Sequence, residues 1–304
     1  MNKTDFQYDT IIVGGGPAGL SAALVLGRCR RKVLLCNAGK SRNARTLATY
    51  GFFTRDGIKP AELIIIARQQ LSRYDTVELL DAEVTGAKCA ENRFDVMLED
   101  GSRFKSRTLL LATGVVDNIP EIEGLDALYG KSVHHCPYCD GYEVRDQPIV
   151  VYGRGEKGKG LALELTAWSG DLVLCTDGAS ELGAEDLERL KKNNIVVREE
   201  PITRLEGTGG ILERVVFASG ESLPRRAMFF STGHRQRSDL AERLGCKFTD
   251  KGAVETGEYE ATGIRGLYAA GDASRHVQSV VVAASEGAEA AFAINTALLK
   301  QDLK

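Results

Sequence analysis

The sequence lacks the features of a membrane-embedded or nucleic-acid-binding protein. Its longest apolar runs, such as Leu63 to Ala67, fall far short of the roughly 20 residues that a membrane-spanning helix needs. No basic run is longer than Arg30-Arg31-Lys32 and the net charge is −3, so the chain offers no basic surface for nucleic acid or an anionic membrane. Because no basic leader precedes the first apolar segment, we expect a cytoplasmic protein whose partners are proteins or small molecules.

The spacing of a zinc site is also missing. Cys136 and Cys139 form a C-x-x-C pair, but the chain has no second C-x-x-C and no H-x-x-x-H to complete a set of metal ligands. We therefore predict no metal and a redox role for the pair, because two thiols three positions apart can close a reducible disulfide. The other cysteines lie in apolar or helical context, as buried free thiols do: Cys29, Cys36, Cys89, Cys175 and Cys246.

A glycine-rich loop follows the first apolar segment, Thr10 to Val13, and precedes a helical pattern from Leu20 to Cys29. The glycines have G-x-G-x-x-G spacing, which lets a pyrophosphate approach backbone N–H groups at the positive end of the helix. The second strand of this unit ends at Asn37, where dinucleotide folds often place an acid that contacts the ribose. The predicted nucleotide contacts are Gly14, Gly16, Pro17, Ala18, Gly19 and Asn37.

A second glycine-rich loop follows the predicted strand Ile149 to Tyr152. The next strand, Leu172 to Cys175, leads to Asp177, the usual place for an acid that pairs with an unphosphorylated ribose. With no guanidinium after that strand, a carboxylate facing a 2′-phosphate would cost about 1 to 4 kcal/mol. This loop therefore predicts NADH and disfavours NADPH, although a fold kept only for packing is the alternative. Its predicted contacts are Gly153, Gly155, Gly158 and Asp177.

The order of these patterns predicts an α/β protein with two doubly wound, Rossmann-like nucleotide-binding domains. The buried strand that runs into Ala112-Thr113-Gly114 is repeated by the strand that runs into Ser231-Thr232-Gly233, as in a duplicated unit. Because the redox pair lies within the second unit, we predict that this domain, residues 119–235, is inserted into the first. The first, discontinuous domain would then comprise residues 1–118 and 236–304.

Four motifs in this order resemble the low-molecular-weight thioredoxin reductase family: GGGPAG, the Ala112 to Gly114 turn, CxxCDG at Cys136 to Gly141, and Gly271-Asp272-Ala273. The resemblance covers nearly the whole chain. It implies a homodimer that binds FAD in the discontinuous domain. It places Asp272 near the ribityl chain and Gln278 close to the flavin, and adds Gly114 and Gly271 to the FAD-binding residues.

Within that family, the segment Gly39 to Gly57 and His135, directly before the pair, resemble the gliotoxin-type dithiol oxidases. In that branch such a histidine deprotonates the substrate thiols. The resemblance further implies that Cys139 is the sulfur nearer the flavin, that Cys136 exchanges with the substrate, and that Asp140 acts as acid and base. Asp140-Gly141 is equally typical of a tight turn.

These observations leave three functions open. The first is an FAD-dependent disulfide oxidoreductase that reduces a thioredoxin-like protein or a small disulfide, with an electron donor other than the usual NADPH. The second is a dithiol oxidase that makes a disulfide in a small molecule and gives the electrons to oxygen. The third is a flavin-bearing redox sensor with little turnover. NADH, ferredoxin and a second flavin are the alternative donors, since Glu156 and Gly160-Leu161 depart from the family pattern for pyridine nucleotides.

Overall fold

The computed structural model describes residues 7–39, 41–90 and 93–304. The expectation that no leader precedes the first strand concerns residues 1–6, which lie outside this description. The strands are β1 (Tyr8–Val13), β2 (Val33–Cys36), β3 (Val77–Leu80), β4 (Val84–Ala90), β5 (Arg93–Leu98), β6 (Arg103–Leu111), β7 (Val115–Asp117), β8 (Val133–His134), β9 (Ile149–Tyr152), β10 (Leu172–Cys175), β11 (Val196–Arg198), β12 (Ile202–Thr208), β13 (Ile211–Phe217), β14 (Ser222–Pro224), β15 (Ala227–Phe230), β16 (His234–Gln236) and β17 (Leu267–Ala269).

Within residues 7–39, 41–90 and 93–304, eight α-helices accompany these strands. They are α1 (Pro17–Arg28), α2 (Pro60–Leu71), α3 (Leu125–Leu128), α4 (Pro137–Asp140), α5 (Gly155–Leu165), α6 (Ala184–Lys192), α7 (Leu240–Arg243) and α8 (Val280–Asp302). Short 3₁₀ turns in the described part of the chain include Tyr142–Val144, Glu258–Glu260 and Gly271–Ala273. None of the helices in the described residues is long and apolar enough to cross a membrane.

The chain divides into two compact units. The first unit comprises Met1–Ala44, Gly51–Val116 and Arg235–Lys304, and the second comprises Arg45–Tyr50 and Asp117–His234. Two of the four boundaries between these ranges fall in β7 and β16, and these two strands pair with each other.

One short segment belongs to a different domain from the one predicted. Residues 45–50 were expected in the discontinuous domain, but they belong to the second unit. The reason is a set of contacts made by Arg45, which pairs with the Asp126 carboxylate at 2.6 Å and stacks over the Tyr129 ring at 5.3 Å. The assignment of FAD to the discontinuous domain stays a prediction.

The first unit is built on a seven-stranded sheet with the order β3-β2-β1-β6-β5-β4, and β17 pairs with the second half of β6. The central strands are parallel and buried on both faces, which explains their continuous apolar sequence. Ile11 packs into the core on one face, whereas Ile12 packs with residues of α1 and α8 on the other. The carboxyl ends of β1 and β2 therefore present the first glycine-rich loop and Asn37 at one edge.

The second unit repeats this design with five parallel strands in the order β11-β10-β9-β15-β8. On one face, Val150 packs in a core with residues of the antiparallel sheet β12-β13-β14. On the other face, Val151 packs with Leu165 of α5 and Leu190 of α6. The second glycine-rich loop and Asp177 thus follow β9 and β10 as their counterparts follow β1 and β2.

Candidate active site

The redox pair is formed in the second unit at the start of α4. Cys136 precedes the helix with extended backbone, and Pro137 occupies the first helical position, where its fixed φ is favourable and a missing N–H costs nothing. The helical turn brings Cys139 back to Cys136: the Cα atoms are 5.3 Å apart, and the sulfurs form a disulfide. The backbone N–H of Cys139 donates to Sγ of Cys136 at 3.2 Å.

The carboxylate of Asp140 lies beside the imidazole of His134, although no hydrogen bond joins it to Nδ1. Nδ1 of His134 lies 3.4 Å from Oδ2 of Asp140, and both side chains are largely buried. The imidazole packs against the ring of Phe229 with centroids 5.3 Å apart, which fixes its orientation. A histidine held against a carboxylate can take and return a proton, so this pair is a candidate acid–base group beside the disulfide.

His135 has a different carboxylate neighbour, one that the sequence reasoning missed. Its Nδ1 lies 3.8 Å from Oδ2 of Asp117, a buried residue of β7 that also accepts a hydrogen bond from Tyr129 at 3.1 Å. Asp117 precedes the pair by nearly twenty positions, so no local spacing indicates it. Its one sequence signal is that an acid closely follows the small-residue turn after β6. Each of the two histidines that precede Cys136 therefore lies beside a carboxylate: His134 beside Asp140, and His135 beside Asp117.

Gly141 has a packing role in addition to its place in the turn after the cysteine pair. A Cβ on Gly141 would lie 3.0 Å from the ring of Trp168, so the glycine allows the indole to pack against the end of α4. Trp168 in turn meets the ring of Tyr138 edge-on, with centroids 5.5 Å apart, although Tyr138 is largely exposed. These contacts hold the backbone that carries both cysteines.

The first glycine-rich loop has the shape that a diphosphate needs. Gly14 has a left-handed φ of +117° and passes so close to the carbonyl of Ala112 that no side chain fits. Gly19 similarly abuts the carbonyl of Gly14, whereas a Cβ on Gly16 would meet nothing within 4 Å. Gly16 precedes α1 and no side chain caps the helix there. The open space over Gly16, at the positive end of a twelve-residue helix, fits the pyrophosphate of FAD.

The remaining predicted FAD contacts also lie in the first unit. Asn37 sits beside Gly15, where its side-chain oxygen accepts from Gly39 at 3.2 Å. Gly114 follows β6 with a left-handed φ of +67°, in the turn that the family motif predicts. The carboxylate of Asp272 and the side-chain oxygen of Gln278 are brought together by one guanidinium, that of Arg42, at 2.9 and 2.6 Å. Arg42 lies in the segment Gly39 to Gly57 and was not itself predicted as a site residue.

The second glycine-rich loop repeats one close glycine contact of the first loop but has a different backbone conformation, because its left-handed glycine is Gly155, the first residue of α5. A Cβ on Gly158 would lie 2.4 Å from the carbonyl of Gly153, as at the corresponding glycines of the first loop. The backbone N–H of Gly155, however, donates to the carbonyl of Ser180 at 3.0 Å. The carboxylate of Glu181 lies beside Gly155 and 3.6 Å from the guanidinium of Arg154. The chain itself therefore uses a donor that a bound pyrophosphate would require.

The expectation that no guanidinium lies near the end of β10 is wrong. Arg154, from the glycine-rich loop, reaches across and donates to the carbonyls of Thr176, at 3.1 Å, and Asp177. The carboxylate of Asp177 accepts from the hydroxyl of Tyr152 at 2.9 Å, and burial together with this carboxylate raises the pKa of Tyr152 to about 12. A local reading of Cys175 to Asp177 missed Arg154 because it precedes that segment by a whole helix.

A family model described as pyridine nucleotide-disulphide oxidoreductase matches residues 8–287. The chain belongs to this family. It is 31% identical over 308 residues to thioredoxin reductase tcpT of Claviceps purpurea, covering 98% of this chain and 96% of the relative.

Other pyridine nucleotide-disulphide oxidoreductases match over similar lengths. Thioredoxin reductase of Mycolicibacterium smegmatis is 30% identical over 316 residues, covering 99% of this chain and all of the relative (100%). Among solved structures, the oxidoreductase from Agrobacterium tumefaciens has a TM-score of 0.90 at 36% identity, covering 97% of this chain and 99% of that one. The predicted membership of the thioredoxin reductase family and the predicted two-domain α/β fold are thereby confirmed. This pyridine nucleotide-disulphide oxidoreductase is a thioredoxin-reductase-like flavoprotein enzyme with a cysteine pair.

Proposed function

We propose that this enzyme works in the oxidising direction: it converts a small-molecule dithiol into a disulfide through Cys136 and Cys139, with oxygen as the final electron acceptor. The overall reaction transfers two electrons and two protons from the dithiol to oxygen and yields the disulfide and hydrogen peroxide. The chemistry that bound FAD supplies is acceptance of two electrons from the cysteine pair and their transfer to oxygen.

This proposal rests on the second glycine-rich loop, where a backbone N–H that could bind a phosphate is already hydrogen-bonded within the protein. A pyridine nucleotide must place its negatively charged pyrophosphate against the backbone N–H groups at the start of α5. Here the Gly155 N–H already has the Ser180 carbonyl as partner, and the Glu181 carboxylate lies beside the same glycine. A phosphate would have to displace this hydrogen bond and compete with the Glu181 carboxylate for the Arg154 guanidinium, which disfavours both NADH and NADPH. The electrons then come from the other substrate, the dithiol.

The cysteine pair performs the exchange in two displacements. A substrate thiolate attacks Sγ of Cys136, which breaks the bond to Cys139 and forms a mixed disulfide. The second substrate thiolate then attacks the substrate sulfur of that mixed disulfide, releasing the product and leaving both enzyme cysteines reduced. The N–H of Cys139, 3.2 Å from Sγ of Cys136, can stabilise the negative charge that develops on that sulfur.

Both displacements need deprotonated substrate thiols, and the two histidine–carboxylate pairs supply the bases. His135 directly precedes Cys136, and a proton taken on its imidazole is stabilised by Asp117 at 3.8 Å. His134 and Asp140, 3.4 Å apart, can hold the second proton. Two substrate thiols lose two protons, so the number of bases matches the stoichiometry.

The residues of the first unit fit FAD as the cofactor. Gly14, Gly16 and Gly19 leave the open space over α1 that suits its pyrophosphate, with Pro17 and Ala18 in the first turn. Asn37 would contact the ribose, and Asp272 and Gln278, joined by Arg42, would contact the ribityl and flavin portion.

The decisive experiment is anaerobic mixing of the flavin-loaded protein with separate electron donors. We expect dithiothreitol to bleach the flavin absorbance, and NADH and NADPH to leave it unchanged. On admission of air, the dithiol sample should form one hydrogen peroxide per disulfide. Rapid bleaching by either nucleotide would contradict the proposal and make the enzyme a reductase.

Serine variants assign this bleaching to the cysteine pair. Cys139→Ser and Cys136→Ser should each retain FAD but lose bleaching by dithiothreitol. Cys89→Ser is the matched control because Cys89 is an exposed free cysteine outside the pair, and it should behave as the wild type. Undiminished bleaching in Cys139→Ser would remove the pair from the mechanism.

A second candidate is an NADH-dependent reductase of a thioredoxin-like protein or small disulfide. One observation favours it: the Asp177 carboxylate stands at the end of β10, where a ribose hydroxyl would be bound, and Tyr152 holds it in place at 2.9 Å. Bleaching by NADH that is lost in Asp177→Ala would establish this function. Absence of turnover with every donor would instead favour a redox sensor.

A further inference from the structure

Two buried carboxylates and a partly exposed arginine form a cluster next to the turn that carries Asp272. The carboxylate of Glu286, in α8, accepts the backbone N–H of Gly271 at 2.7 Å. Its other oxygen accepts from Nε of Arg275 at 2.8 Å. The same guanidinium donates to Glu260 at 2.6 Å, and Glu260 is fully buried. Two carboxylates from distant segments thus share one arginine beneath this turn.

Burying these charges costs folding free energy, which indicates that the cluster has a function. A carboxylate removed from water is tolerated only when it is paired and hydrogen-bonded, and one guanidinium cannot neutralise two acids. Burial accordingly raises the pKa of Glu260 above its ordinary value and that of Glu286 to about 7. The backbone at Tyr259 and Glu260 is left-handed, with φ of +53° and +62°, a strained conformation for residues other than glycine.

The turn itself is held within narrow limits. Gly271 has a left-handed φ of +78°, and a Cβ there would lie 3.0 Å from Cβ of Ala18, in the first turn of α1. Gly287, next to Glu286, has no room for a side chain because it abuts the carbonyl of Ala18. The cluster, the turn and the loop that fits the pyrophosphate therefore form one packed assembly.

We propose that Glu286 is a positioning residue for the flavin: through the Gly271 N–H it fixes the Gly271–Ala273 turn, and Arg275, which also bonds to Glu260, holds its carboxylate in place. Glu286 acts only through the turn and has no contact of its own with the cofactor. This role depends on FAD binding by the first unit and is independent of the direction of the reaction.

The test measures FAD affinity rather than turnover. Apo-protein is titrated with FAD, and binding is followed by quenching of flavin fluorescence. Glu286→Leu removes the acceptor for Gly271 and should weaken FAD binding at least tenfold, whereas Glu286→Gln keeps an acceptor oxygen and should remain within about threefold of the wild type. Glu258→Gln is the control, because Glu258 is an exposed glutamate in the same turn as Glu260, and should leave the affinity unchanged.

Hydrogen exchange provides the second readout and covers a variant that folds poorly. The Gly271 amide should exchange slowly in the wild type and in Glu286→Gln, and at least tenfold faster in Glu286→Leu or, if that variant does not fold, in Glu286→Ala. Wild-type affinity in Glu286→Leu, or equal losses in the Leu and Gln variants, would overturn the positioning role. A wild-type protein that binds no FAD would instead remove the proposed function together with its cofactor.

Discussion

Burial makes two of the five other cysteines inert, whereas the expectation that Cys89 is buried is wrong, since it is exposed. Cys36 and Cys175 end equivalent central strands, β2 and β10, and burial raises the pKa of each thiol to about 12. The thiolate is the nucleophile, so these two cysteines are unreactive at neutral pH although they lie close to the nucleotide loops.

We expect iodoacetamide at pH 8 to distinguish these groups of cysteines. After reduction, Cys136, Cys139 and the exposed Cys89 should be alkylated, while Cys36 and Cys175 remain unmodified until the protein is unfolded. Peptide mass spectrometry of native and urea-treated samples measures this directly. Labelling of Cys175 in the native protein would show that the core of the second unit opens readily.

The acid beside the disulfide provides a second prediction. Asp140→Asn keeps the shape of the side chain but removes the charge that stabilises a proton on His134, so turnover with a dithiol should fall roughly 100-fold or more. Asp126→Asn is the control, since Asp126 is an exposed surface acid of the same unit. An unchanged rate in Asp140→Asn, measured by oxygen uptake, would reduce Asp140 to a turn residue.

The loop before α1 allows stability and cofactor binding to be separated. Gly16→Ala meets no protein atom within 4 Å, so the apo-protein should melt as the wild type does while FAD binding weakens, because the new methyl group fills the space for the pyrophosphate. Gly19→Ala places its Cβ against the carbonyl of Gly14 and should lower the melting temperature itself. Thermal melts of apo-protein and FAD titrations measure both effects. Equal FAD affinity in Gly16→Ala and the wild type would place the pyrophosphate elsewhere.

The regular elements were largely predictable, and the contacts between them were not. Continuous apolar runs and glycine spacing predicted β1, β9 and the helices that follow them, because these patterns are local. The roles of Arg154 and Asp117 were not predicted because each contacts residues that are distant in sequence. Arg154 contacts the end of β10, and Asp117 lies beside His135. Side-chain reach across neighbouring strand ends depends on the folded sheet, which spacing alone does not describe.

The stability of the whole protein should depend on pH through Glu286. Its pKa in the folded state, about 7, lies above the ordinary value of 4.5, so its protonated form favours folding. This contribution is complete below about pH 4.5 and is lost as the pH rises through 7. Relative to Glu286→Gln, the wild type should therefore lose roughly 3 kcal/mol of unfolding free energy between pH 4.5 and 8. Urea unfolding of both apo-proteins across this range tests the sign, and a constant difference would contradict it.

The two-domain organisation was visible in the sequence because the two glycine-rich loops repeat one pattern. The placement of residues 45–50 was not, since it depends on the contacts of Arg45 with Asp126 and Tyr129 rather than on a motif. The homodimer and the cytoplasmic location implied at the start stay predictions, and sedimentation of the purified protein tests the first of them.

The discontinuous first unit has a consequence for how the protein is made. On the ribosome, β1, β2 and β6 emerge early, yet β17 and α8, which complete their sheet and cover α1, are synthesised last. At the usual 5–20 residues per second, these apolar strands wait on the order of ten seconds for their partners while the second unit is translated between them. Nascent chains of this protein should therefore depend on chaperones more than their modest length suggests, and a stalled chain that ends before α8 should aggregate.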